Sequence, residues 1–192
     1  MSSQSGSALR FNSLRASLTV GLGLLLLGPA VAYPKVFYAK DEALKLAFPD
    51  ADQIEMRTLI MEDPELKKAQ QMARTRIDSK LFTFYVGKKK GAVIGYAAID
   101  THIVRTLPET FMVVLSPEGQ VQTTVVLAFH EPPEYLPSER WLEQFHNKTL
   151  SPDLWVGRDI AGIAGSTLTT QAITQGIRKV VALFQILIKE KR

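Results

Sequence analysis

Four apolar runs between Leu81 and Phe129 constrain this chain more than any other feature. "LFTFYV" and "AVIGYAAI" flank "GKKKG", while "TFMVVL" and "QVQTTVVLAF" flank "SPEG". The runs are short and rich in β-branched and aromatic residues, and the tips carry the Gly and Pro chemistry of tight turns between antiparallel strands. Two hairpins follow from this pattern.

Downstream, the apolar residues Ile173, Ile177, Val180, Val181, Phe184, Leu187 and Ile188 fall on one helical stripe, so a helix starting near Thr169 or Thr170 packs that face on the core. Lys189, Lys191 and Arg192 complement its negative end. Upstream, Ala43, Leu44, Ala47 and Phe48 give "KDEALKLAF" a helical spacing that "PDAD" stops. "QIEMRTLIM" reads as a strand, and Asp63-Pro64-Glu65 opens a helix running to about Arg76. The prolines of "FHEPPEYLPSERWLEQFHNK" make a shaped loop. It ends in a short helix, Ser138 to Phe145, capped by Ser138 and packed through Leu142 and Phe145. The expectation is an α+β fold: an antiparallel sheet with packed helices, a single domain after an N-terminal signal segment.

The first 32 residues have the three-part layout of a secretory signal. Arg10 and Arg15 precede the apolar run "LTVGLGLLLLGPAVA", which ends in the small-x-small triplet Ala30, Val31, Ala32. The run is short for about 30 Å of hydrocarbon and Pro29 interrupts it, so cleavage before Tyr33 is expected. An uncleaved segment would leave the protein membrane-anchored. The divisions are residues 1–32 as signal, 33–79 as a helical and strand lead-in, and 80–192 as the domain carrying the site. The location implied is periplasmic or otherwise extracytoplasmic. Zero cysteines rule out disulfides, thiolate-bound iron–sulfur clusters and covalent c-type haem. A net charge of +4 with dispersed cations gives no clustered basic face for a nucleic acid.

The chemistry points to "GIAGSTLTTQA", Gly162 to Ala172, where two glycines and four hydroxyls gather without a charge ahead of the last helix. Helix N-termini present amide N–H groups without intrahelical partners and attract anions, above all phosphate. The plainer reading is that Thr169 or Thr170 caps the helix. A nucleotide P-loop does not fit, because "GIAGST" lacks its Lys, and the glycine spacing of a dinucleotide fingerprint is absent.

"AGSTLTTQAITQGIRKV", Ala164 to Val180, resembles the flavinylation motif of the FMN-binding domain family, found in the sodium-pumping NADH:quinone reductase and in the related Rnf electron-transport complex. The family pattern D-x-x-[ST]-G-A-T ends in a threonine that carries FMN through a phosphoester, and the matching position is Thr167, preceded by Gly165 and Ser166. "HEPPEYLPSERWLEQFHNK" is similar to the family's H-x-E-T-P-G-L-G loop and following helix. The resemblance sets His130, Glu131, Pro132, Pro133 and Tyr135 around the flavin ring, with Trp141 beside them, and the phosphate on the amides of Leu168, Thr169 and Thr170. It departs at the family's acidic position, six residues before the acceptor, which is Ala161 here, Asp159 lying two residues further upstream. Ala164 and Ser166 also depart from the pattern.

The resemblance implies an exported flavoprotein domain, its FMN esterified to Thr167 by a flavin transferase that uses FAD and magnesium, relaying electrons between membrane redox proteins rather than catalysing alone. The alternative is a flavin-free binding or scaffold module of the same fold, which Ala161 favours. The remaining signals are weaker. His102, His130 and His146 have no metal-ligand spacing and read as surface or hydrogen-bonding residues. Lys88 to Lys90 read as a solvated hairpin tip, Asn147-Lys148-Thr149 is a chance glycosylation triplet, and no G-x-S-x-G elbow supports a hydrolase.

Overall fold

A computed structural model describes residues 35–191. The expected signal segment, residues 1–32, and Arg192 lie outside them. A six-stranded antiparallel sheet runs in the order β1-β6-β5-β4-β3-β2. The strands are β1 Lys35–Val36, β2 Gln53–Ile60, β3 Leu81–Lys89, β4 Ala92–Ile103, β5 Pro108–Leu115 and β6 Val121–Phe129. The helices are α1 Lys40–Ala47, α2 Asp63–Ala73, α3 Glu139–Leu142 and α4 Thr167–Phe184. The α+β expectation holds. The two anticipated hairpins are β3–β4 and β5–β6, and Val104 to Leu107 join β4 to β5 in a third. The tip of β3–β4 is the pair Lys90 and Gly91, with φ of 51° and 79°, the primed turn whose twist matches that of the strands.

Alternation along the strands sends residues to two covered faces. Ala97, Met112, Val114 and Leu127 pack with Ala43, Leu44 and Phe48 of the α1 region. Tyr96, Ala98, Phe111, Val113 and Leu115 pack with Ile173, Ile177, Val180 and Phe184 of α4. Burial on both faces is why "AVIGYAAI" and "TFMVVL" read as near-continuous apolar runs.

All seven residues of the expected stripe are buried, and so are Ala182, Leu183 and Ile186. The helix is therefore enclosed more widely than one stripe requires. At Gly176 a Cβ would stand 2.4 Å from Cζ of Phe111, so glycine sets how closely α4 lies on β5. Beyond Phe184 the helix widens into a π turn, Gln185–Lys189, closed by the Glu190 N–H on the Gln185 carbonyl at 2.9 Å.

Two helix boundaries differ from expectation. α4 starts at Thr167, with Ser166 as N-cap, so Thr169 and Thr170 are interior and buried. Threonine fits there because its hydroxyl bonds back along the helix. Thr170 Oγ1 donates to the Thr167 carbonyl at 3.0 Å, and Thr174 Oγ1 to that of Thr170 at 2.7 Å. α2 ends at Ala73, short of Arg76, because Arg74 turns left-handed with φ of 53°. Its opening at Asp63 is as read, with Glu62 as N-cap donating its N–H to the Glu65 carboxylate at 2.9 Å. The proline-rich loop behaves as expected: Pro133–Tyr135 form a single 3₁₀ turn, and Ser138 Oγ caps α3 by accepting the Trp141 N–H at 3.3 Å. Leu142 and Phe145 are buried.

Arg178 ties these parts together. It is 1% exposed yet its hydrogen bonds all go to carbonyls. Nε donates to Ala73 at 2.9 Å, Nη2 to Met72 at 2.9 Å, and Nη1 to Ser151 at 2.7 Å and Leu154 at 3.3 Å. The first two are last-turn carbonyls of α2, where a cation meets the negative end of the dipole. The guanidinium also lies 4.6 Å from the Trp155 ring centroid.

Candidate functional site

The β4–β5 connection needs an external acceptor, because its successive N–H groups point out of the ladder. Glu131 supplies it. One oxygen, Oε1, accepts the N–H groups of Arg105 at 3.0 Å, Thr106 at 2.7 Å and Leu107 at 2.8 Å. Burial pushes this carboxyl upward, but the three N–H donors, with the nearby Arg105 charge, outweigh it and hold the group below the ordinary carboxylate range. Glu131 is thus a negative charge fixed on a loop.

α4 arrives beside this loop. Gly165 has φ of 82° with open space where a Cβ would stand, and it turns the chain into Ser166. Ser166 is buried, and its hydroxyl lies 3.5 Å from the Glu134 carbonyl of the proline-rich loop. The first helical bond runs from the Thr170 N–H to the Ser166 carbonyl at 3.0 Å. The amides of Thr167, Leu168 and Thr169 therefore precede it without intrahelical partners, whereas that of Thr170 is taken. Thr167 itself is exposed on the first turn.

Together these elements line a hollow of about 120 Å³, formed by Val104, Arg105, Glu131, Tyr135 and Gly165 through Thr169. It unites seven residues that the sequence marked: Glu131, Tyr135, Gly165, Ser166, Thr167, Leu168 and Thr169. His130, Pro132, Pro133, Trp141 and Thr170 are not among its lining residues. The His130 N–H donates to the Pro108 carbonyl at 3.2 Å. Trp141 is buried edge-on to Phe145, their centroids 5.3 Å apart, and its indole N–H donates to the Ala161 carbonyl at 2.6 Å. Gln144 Oε1 accepts the Ala161 N–H at 2.8 Å. The backbone at the departed acidic position is thus clamped on both sides, with its methyl exposed. Asp159 lies 3.6 Å from Lys148 in an ion pair.

Val104 and Arg105 were missed. The signal for them was the β4–β5 turn "VRTLP", which carries no glycine and so does not announce itself as a hairpin tip. The resemblance marked Glu131 as a ring contact, whereas its side chain is bonded to that turn.

A second polar cluster lies on the α4 face of the sheet. His102 Nε2 is 3.2 Å from Glu109 Oε2 and Nδ1 is 3.8 Å from Asp100 Oδ2, while Lys179 Nζ is 2.5 Å from Asp100 Oδ1. Burial pushes the imidazole down, but the hydrogen bonds and charges of Asp100 and Glu109 pull it above its ordinary value. Burial raises Glu109 more than His102 lowers it. His102 therefore has the hydrogen-bonding role expected of it, as does His146, whose Nδ1 is 2.7 Å from the Gln122 carbonyl.

No helix among the described residues is long and apolar enough to cross a membrane. No protein-family model matches the chain. Among curated proteins, it is 27% identical over 127 residues to a component of the Na(+)-translocating ferredoxin:NAD(+) oxidoreductase complex of Acetobacterium woodii, an alignment covering 57% of this chain and 58% of the relative. The chain spans little more than half the length of that relative and is similar to one component of a redox complex.

Proposed function

We propose that this protein is an exported electron-transfer component that carries FMN esterified to Thr167 and passes electrons between membrane redox partners. One observation carries the reading: an exposed threonine, Thr167, stands on the first turn of α4, among three amides without intrahelical partners, in the lining of a hollow shared with Tyr135 and Arg105. The similarity to a component of a ferredoxin:NAD(+) oxidoreductase complex supports it.

The residues fit the phosphate end of the cofactor. The amides of Thr167 to Thr169 and the Arg105 side chain offer positive potential to a phosphodiester, opposed by the Glu131 carboxylate in the same lining, whose Oε1 is occupied by three N–H donors. The hollow is smaller than the roughly 300–1,000 Å³ of a site that encloses a drug-sized ligand, so it accommodates the phosphate end and leaves the ring to Tyr135 and the half-exposed Leu168. FMN, when bound, supplies reversible acceptance of electrons. The protein holds the phosphate, limits water on one side and keeps the loop at Glu131 rigid. Attachment by a flavin transferase would form the Thr167 Oγ–P bond as the pyrophosphate P–O bond of FAD breaks. AMP would leave and the hydroxyl proton would pass to solvent.

A flavin-free scaffold is the second reading, favoured by Ala161 in place of the family's acid. Co-expression with a flavin transferase separates the two. Denatured protein that stays yellow and gains the mass of FMN less one water, with Thr167→Ala gaining nothing, supports the carrier. An unmodified wild type supports the scaffold.

A further inference from the structure

β6 is flanked on its outer side by β1, which covers only its end: Lys35 pairs with Phe129 and Val36 with Ala128. The N–H groups of Phe37 and Tyr38 then donate to the Leu127 carbonyl at 2.8 and 3.3 Å, and the chain leaves for α1. At the other end, Val121 bonds to Asn147 at 2.7 Å and to Lys148 at 2.9 Å. Between these stops β6 pairs with β5 on its inner side, and the outer main chain of Thr123 to Val126 has no hydrogen-bond partner among the described residues. Alternate residues of a strand direct N–H and C=O outward. This is bare sheet edge, closed at both ends.

A hollow of about 690 Å³ runs along it, with Tyr38 and Leu46 on the α1 side and Leu136, Leu142, Glu139 and Glu143 on the α3 side. Leu46 is 56% exposed. Gln122 to Val126, "QTTVV", contains none of the lysines or prolines that guard an edge against pairing. The lining holds two acids and no Lys or Arg.

We propose that this slot receives an extended segment of a partner polypeptide, added to β6 as a short strand with apolar side chains in its middle and basic residues at its ends. A row of alternating N–H and C=O groups matches a polypeptide main chain. Four to five residues, at roughly 3.3 Å each, match the gap between the stops. Apolar side chains on both faces of the added strand meet Tyr38 and Leu46 or Leu136 and Leu142. A second copy pairing through its own β6 would bring Glu139 and Glu143 against their equivalents, which like charge opposes. Lys35, the first described residue, pairs with Phe129 at the covered end of the edge rather than the open one.

The test uses the full chain and an acetylated, amidated peptide of sequence Lys-Val-Tyr-Val-Lys. Hydrogen exchange should slow at outward amides between Thr123 and Val126, and calorimetry should show saturable binding. Methylating alternate peptide nitrogens should weaken binding at least tenfold, as should the Glu139→Lys/Glu143→Lys protein. The acidic peptide Glu-Val-Tyr-Val-Glu should regain affinity for that variant, which a folding defect would not produce. Unchanged exchange at those amides overturns the proposal. Protection without peptide in a dilute monomer would assign the slot to the chain's own residues, and protection accompanied by a sedimenting dimer would assign it to a second copy; either result also overturns it.

Discussion

Replacing Glu131 by Gln tests whether this carboxylate holds the β4–β5 loop or a ligand. The substitution keeps a carbonyl oxygen where Oε1 accepts three N–H groups at 2.7–3.0 Å but removes the charge. Hydrogen bonds to a charged group contribute about 1.5–3 kcal/mol each, against about 0.5–1.5 for neutral pairs. Three donors share one oxygen, so the losses are less than additive and the expected total is about 2–3 kcal/mol. For a domain of this size that lowers Tm by about 4–12 °C. The assay is thermal unfolding in the Thr167→Ala background, where the proposed tether cannot form, and the drop should be undiminished there. The pH dependence follows in sign: the folded carboxyl sits below its unfolded value, so its contribution is present above about pH 4.5 and disappears as pH falls through the folded value. Glu131→Gln should therefore converge on wild type in acid. A loss below 1 °C in the flavin-free background, with changes confined to flavin spectra, would refute the loop role.

Arg178→Met leaves four carbonyls facing an apolar chain and should cost about 3–5 kcal/mol by chemical denaturation, with Arg178→Lys losing less; an effect under 1 kcal/mol would mean that water replaces the guanidinium. His102 titrates above its ordinary value, so its stabilising contribution is complete below about pH 6.5 and is lost as pH rises through the folded value. The stability gap between wild type and His102→Gln should shrink from pH 6 to pH 9, and a gap that grows would reverse the assignment. Gly176→Ala forces a methyl into Phe111 at 2.4 Å and should destabilise by about 1–3 kcal/mol, measured by denaturant midpoint; a neutral result would show that α4 slides freely on β5.

Strands β2 to β6 were legible in the sequence because each run ends at a turn and holds enough β-branched or aromatic side chains to exclude a surface helix, whereas the two residues of β1 are too few to carry a pattern. The helical stripe from Ile173 to Ile188 was equally plain. The start of α4 was not, because threonines serve as caps and as interior residues, and only the back-bonds of Thr170 and Thr174 decide between them. Within the hollow, the motif residues came from two local blocks and were readable. Arg105 was not, since its place depends on a loop fixed from 26 residues away by Glu131. Trp141 belonged to a readable block, yet the Ala161 carbonyl draws its indole into the core. Arg178 sat unremarked among helix residues, since its four carbonyl partners come from α2 and the 151–154 segment.

The burial of α4 on nearly every side has a mechanical consequence for the position of Thr167. A helix held only along one stripe can rock or fray on its own, carrying its first turn with it. Here Ser166, Thr169 and Thr170 are enclosed at that very end, and Arg178 bolts the middle to α2 and to the 151–154 segment. Moving the start of α4 as a body would uncover these enclosed residues and break the Arg178 hydrogen bonds. Were the proposed flavin tethered there, its point of attachment would keep a fixed place relative to the sheet, and only the linker beyond the phosphate would be free to swing.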